Sequence, residues 1–135
     1  MDRMSGTVAA RVVYIVDADE SARQGLARVV DSAGLDSMPC ESLEVFLRET
    51  PAPRVACAVL DISGLGECAP GTWSRLRTMA AAVPIIALSV RDDPATRRMA
   101  RELGAAAFFR KPVDAAALLD SIDWVTRAER ARPAG

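Results

Sequence analysis

The chain has 135 residues, 50% hydrophobic and 26% charged, which suits one soluble globular domain able to bury its own core. A net charge of −1 gives no overall field to draw nucleic acid or a membrane surface. No apolar run approaches the roughly 20 residues of a membrane span, and no secretory signal opens the chain. Histidine is absent, which excludes Ser-His-Asp triads, Cys-His pairs and histidine-ligated zinc. The three cysteines (Cys40, Cys57 and Cys68) lack metal-type spacing and read as thiols of a reducing cytoplasm.

Residues 11–16, "RVVYIV", form an apolar run that predicts a strand. Over 20–33, Ala22, Leu26, Val29, Val30 and Ala33 keep helical spacing, and Gly34 supplies the stop. Residues 35–40 predict a weak strand, placed at an edge or made irregular by Pro39. Ser42 caps a short helix carrying Leu43, Phe46 and Leu47, which Pro51 and Pro53 end. Residues 55–60, "VACAVL", are continuously apolar, as a central strand covered on both faces requires, and Asp61 stops them. A loop over 62–69 carries Gly64 and Gly66. A helix over 70–82 uses Trp73, Leu76 and Met79, and a strand over 83–89 follows. Asp93-Pro94 opens a helix as N-cap and first-turn proline, and Gly104 closes it. A fifth strand spans 105–109, Lys111-Pro112 make a turn, and Asp114 caps a last helix facing inward through Leu118, Leu119, Ile122 and Val125. Residues 1–9 and 127–135 read as a flexible N-terminus and as a linker or tail, flanking one domain over 10–126.

Five strands alternating with five helices predict an α/β fold with a parallel sheet covered on both sides. Ligands of such sheets gather beyond the carboxyl ends of the strands, where Asp17, Asp61, Ser89 and Lys111 fall. Two carboxylates, a hydroxyl and an ammonium suit the handling of a phosphoryl group. An aspartate can attack phosphorus, a carboxylate-held magnesium ion can neutralise the moving charge, and lysine and hydroxyl can hold the product oxygens.

In residue type, order and spacing, these positions make the chain resemble the response-regulator receiver domain of two-component signalling, over about residues 10–126. The resemblance implies a doubly wound (βα)5 flavodoxin-like domain with strand order 2-1-3-4-5. It implies a cytoplasmic signalling module rather than a turnover enzyme. Asp61 matches the phosphoacceptor, Lys111-Pro112 the Lys-Pro pair with its usual cis bond, Ser89 the switch hydroxyl and Phe108 the switch aromatic. Mg2+ would be held by Asp17, Asp61 and the Ser63 main-chain carbonyl. The implied partners are a histidine kinase, a second copy bound through the fourth helix, fifth strand and fifth helix, and an output domain outside this chain. No nucleic acid or membrane partner is implied. Arg97, Arg98 and Arg101 on the fourth helix and Asp120 and Asp123 on the fifth could pair across such a dimer, or simply be solvated. Arg127, Arg130 and Arg132, with Glu129 between them, read as linker.

Three departures bear on the chemistry. The family's second adjacent acid is Ala18 here, so Asp17 and Asp61 against Lys111 leave about −1 where about −2 is usual, and Mg2+ is expected to be weak or lost. Asp19 is a substitute ligand or, the preferred reading, the N-cap of the first helix. Gly64 stands where the family has an apolar residue, loosening the acceptor loop. Val90 stands where it keeps a small one, crowding the approach to Asp61. Two readings follow: a phosphoacceptor switch with weakened Mg2+ dependence, or a pseudo-receiver that binds partners without phosphorylation. A third, a haloacid-dehalogenase-type phosphatase, rests on "YIVDADES", with Asp17 as nucleophile, Asp19 as acid and Asp92-Asp93 imitating a metal pair. It lacks an acidic pair downstream of Lys111 and leaves Asp61 without a role.

Overall fold

The computed structural model describes residues 11–49 and 55–131. The expected N-terminus 1–9, the helix-ending prolines Pro51 and Pro53, and residues 132–135 lie outside the described residues. The elements run β1 (Val12–Val16), α1 (Glu20–Ser32), β2 (Asp36–Cys40), α2 (Leu43–Glu49), β3 (Val55–Asp61), α3 (Pro70–Ala82), β4 (Ile85–Ser89), α4 (Pro94–Leu103), β5 (Ala107–Arg110) and α5 (Ala115–Ala131). The five strands pair in parallel in the order β2-β1-β3-β4-β5. Pro39 lies on the edge strand β2, where a missing amide is tolerated.

Side-chain alternation along the strands divides the core in two. Tyr14, Val16, Ala58, Leu60, Ile85 and Ala87 pack with Phe46, Leu76 and Leu103 of α2, α3 and α4. Val13, Ile15, Cys57, Val59, Ile86 and Leu88 face Leu26 and Val30 of α1 and Leu118, Ile122 and Val125 of α5. Each fully buried aliphatic side chain contributes about 1.5–3 kcal/mol relative to exposure, so the middle strands anchor the sheet.

Helix ends follow local capping chemistry. The carboxylates of Asp19, Asp93 and Asp114 accept from the amides of Ala22, Thr96 and Ala117, and the Ser42 hydroxyl accepts from that of Val45. Gly104 closes α4 at φ 92°, a left-handed conformation that favours glycine. Four strands begin later than the apolar runs predict, three of them because amides at their expected starts still serve the preceding helices. Leu35 donates to Val30, Val83 to Met79 and Ala105 to Ala100. β3 and β5 each extend one residue further, since Asp61 pairs with Leu88 and Arg110 with Ser89. The loop after it contains a 3-10 turn, Leu65–Glu67, and Ala33 is exposed rather than part of the inner face of α1. The expected tail also needs correction: α5 continues to Ala131, with Arg127 and Asp123 paired at 3.1 Å one turn apart. Among the described residues, no helix is long and apolar enough to cross a membrane.

Candidate functional site

Parallel pairing brings the carboxyl ends of β1, β3, β4 and β5 to one edge. The Ile62 amide donates to the Leu88 carbonyl and the Lys111 amide to the Ser89 carbonyl, both at 2.8 Å, so the loops leave the sheet in fixed register. Asp17, 2% exposed, accepts from Lys111 Nζ at 2.8 Å through Oδ2. The same ammonium lies 3.4 Å from Asp61 Oδ2. Burial disfavours the charge on Lys111, but the Asp17 hydrogen bond and the charges of Asp61 and Asp17 outweigh it and hold the lysine pKa above its ordinary value.

The second oxygen of each carboxylate serves its own loop. Asp17 Oδ1 accepts from the Asp19 amide at 2.9 Å. Asp61 Oδ1 accepts from the Ser63 amide at 2.9 Å and from the Ser63 hydroxyl at 2.7 Å. Both carboxylates line a cavity of about 380 Å3, together with Ala18, Glu41, Glu44, Glu67 and Cys68.

The remaining expected residues are placed as follows. Ser89 is buried at the end of β4, but its hydroxyl accepts from the Arg91 amide at 3.0 Å and makes no hydrogen bond to Asp61. Phe108 is half-buried, with the Arg97 guanidinium carbon 5.3 Å from its ring centroid. Arg97 also pairs with Asp92. The Lys111-Pro112 bond is cis. Asp19 caps α1 through Oδ2, the duller of its two expected roles. Val90, expected to crowd the approach to Asp61, does not line the acidic cavity: it is 56% exposed and borders a neighbouring cavity of about 390 Å3 with Ala22, Leu26, Lys111, Pro112 and Leu118. Gly64 has φ −100° and ψ 10°, a conformation open to other residues. Asp92 and Asp93 are engaged by Arg97 and by the α4 cap, and neither lines the acidic cavity.

The donor set fits magnesium, sparsely. Two carboxylates and a main-chain carbonyl are oxygen ligands of the right kind, and magnesium commonly keeps several waters beside one or two carboxylates. Among the described residues, however, no group of three Asp, Glu, His or Cys side chains could hold a metal, and Lys111 already bridges the two carboxylates present.

Sequence reading missed Arg23. Its Nη1 donates to the Asp17 carbonyl at 2.8 Å. The signal was present in its spacing, since a residue four beyond the Asp19 cap returns to the same end of α1.

The model of the response regulator receiver domain family matches residues 13–123. Response regulator protein TodT of Pseudomonas putida is 30% identical over 113 residues, 84% of this chain and 50% of that protein. Transcriptional regulatory protein FixJ of Azorhizobium caulinodans is 28% identical over 110 residues, 82% of this chain and 52% of that protein. The chain thus spans about half the length of the curated relatives it matches. Among solved structures, response regulator StyR superposes with TM-score 0.74 at 32% identity, over 90% of this chain and 63% of that one. A response regulator receiver protein from Pseudomonas putida gives 0.72 at 25%, over 87% and 99%. Family match, strand order and related sequences agree, and the chain belongs to the response regulator receiver domains of two-component signalling.

Proposed function

We propose that Asp61 is a phosphoacceptor with weakened magnesium dependence. The observation that carries this reading is the Lys111 ammonium, 3.4 Å from Asp61 and 2.8 Å from Asp17, at the ligand edge of a parallel sheet. An Asp61 oxygen attacks phosphorus of the phosphohistidine of a histidine kinase. The phosphorus–nitrogen bond breaks, its electron pair stays on the nitrogen, and that imidazole takes up a proton in due course. Oδ2 is the better placed oxygen, because Oδ1 is occupied by Ser63. Lys111 then faces the new phosphoryl oxygens. Magnesium, when bound by Asp17, Asp61 and the Ser63 carbonyl, supplies further charge neutralisation, and Ala18 deprives it of one ligand.

Phosphorylation biases the domain through contacts made in only one state. For the Ser89 hydroxyl to reach the phosphoryl group it must leave the Arg91 amide, and Phe108 moves inward from beneath Arg97. The surface of α4, β5 and α5 changes in consequence, for a second copy or an output domain to read. The doubled length of the relatives supports an output part outside this chain.

One observation favours a phosphorylation-independent interaction module instead: Lys111 already joins Asp17 and Asp61. One experiment separates the two readings. Incubation with a small acyl phosphate and magnesium, followed by intact mass, gives a single added phosphoryl group that Asp61→Ala abolishes. No adduct, with partner binding unchanged in Asp61→Ala, establishes the module instead.

A further inference from the structure

Arg23 lies on α1 one turn beyond the Asp19 cap, half-buried, with Nη1 donating to the Asp17 main-chain carbonyl at 2.8 Å. It forms no ion pair with any carboxylate among the described residues. Its charge is therefore not cancelled by a partner of its own. That hydrogen bond and covalent geometry keep the charge within about 8 Å of the Asp17 carboxylate. This is within a Debye length at physiological salt. Glu41, Glu44 and Glu67 line the cavity too, but they are exposed and more fully screened.

We propose that Arg23 serves as a fixed countercharge of the acidic site, opposing divalent cations and favouring an anionic phosphodonor. Asp17, Asp61, Lys111 and Arg23 together carry no net charge. In that environment a metal is attracted less strongly, and an approaching phosphate dianion is repelled less. The first half of the proposal concerns Mg2+ alone; the second rests on Asp61 accepting a phosphoryl group.

A purely structural clamp and a countercharge predict opposite signs. Loss of a clamp loosens the turn that presents Asp17 and weakens Mg2+ binding. Loss of a countercharge strengthens it. The test is a Mg2+ titration of the full chain, followed by the amide NMR signals of Asp61 and Ser63, at low and high salt. Arg23→Gln and Arg23→Ala are expected to tighten Mg2+ binding by roughly three- to tenfold at low salt, with the gain shrinking at high salt. Arg23→Lys, which keeps the charge, stays within about twofold of the parent. Unchanged or weaker binding in both neutral variants overturns the proposal, as does absence of detectable Mg2+ binding in all of them. Arg23→Gln keeps a donor for the Asp17 carbonyl, so it decides the matter if Arg23→Ala does not fold. In a second arm, loading from a small acyl phosphate at saturating Mg2+ is expected to slow several-fold in Arg23→Gln and to recover in Arg23→Lys. An unchanged rate overturns the anion half. If no variant takes up phosphate, the phosphoacceptor reading and the anion half fail together, while the Mg2+ arm still decides the countercharge.

Discussion

Lys111 is held more closely by Asp17 than by Asp61, at 2.8 Å against 3.4 Å. Of the two carboxylates Asp17 is the more deeply buried, its side chain 1% exposed against 18%. Replacing Lys111 with methionine strands a buried carboxylate, and the expected cost is about 2–4 kcal/mol in urea unfolding. Adding Asp17→Asn to that variant is expected to recover much of the loss, because the stranded charge is then gone. A Lys111→Met change of under about 0.5 kcal/mol, the size of an ordinary surface substitution, would show the pair to be solvated.

The same pair sets an alkaline limit. The native lysine pKa lies above the ordinary value of 10.5, so the folded state binds the proton more tightly than the unfolded chain. Its contribution is fully present below 10.5 and is lost as pH rises through the native value. Lys111→Met should therefore flatten the alkaline end of the stability profile and leave the slope near neutrality unchanged. An identical alkaline slope in parent and variant would contradict this.

Ala18 is exposed and lines the acidic cavity, so a carboxylate there can enter without disturbing the core. Ala18→Asp adds a ligand and a unit of negative charge. The expected result is Mg2+ binding tighter by about tenfold or more, with lower stability when the metal is removed, since like charges then face each other. Equal Mg2+ affinity in the two proteins would show that position 18 does not face the ion.

Arg97 links Asp92 to the ring of Phe108. Its hydrogen bond holds the Asp92 pKa below the ordinary 3.8. In Arg97→Ala, Asp92 is expected to titrate higher than in the parent, and the Phe108 ring signals should shift in the same variant. Movement of one signal without the other would mean that Arg97 does not make the contact whose signal is unmoved.

Cys57 is buried in β3, and that burial pushes its thiol up to about 12 against the smaller pull of Arg11. Cys68 is half-buried beside the cavity. Alkylation of the native protein near neutral pH should label Cys68 well before Cys57, and urea should equalise them. Equal native rates would place Cys57 in an opening segment.

Signals that act within a few residues were legible in the sequence. The caps at Asp19, Ser42, Asp93 and Asp114, the edge proline at Pro39 and the continuous apolar run of β3 each rest on local chemistry, whereas the strand order followed from the family resemblance. The convergence of Asp17, Asp61 and Lys111 was legible too, because parallel strands bring their carboxyl ends to one edge. What stayed hidden depends on side-chain direction. Lys111 reaches past Asp61 to Asp17, Ser89 bonds within its own turn, and Val90 lines the neighbouring cavity. The continuation of α5 was obscured by reading Arg127 and Glu129 as polar linker, although both are good helix formers.

Gly64 carries a consequence for engineering. Its dihedrals suit any residue, and a methyl group built on it would meet nothing within 4 Å. Alanine at 64 can therefore rigidify the acceptor loop with no steric penalty. Backbone stiffness and metal ligation thus become two independent dials on the same cavity, one turned at position 64 and the other at position 18.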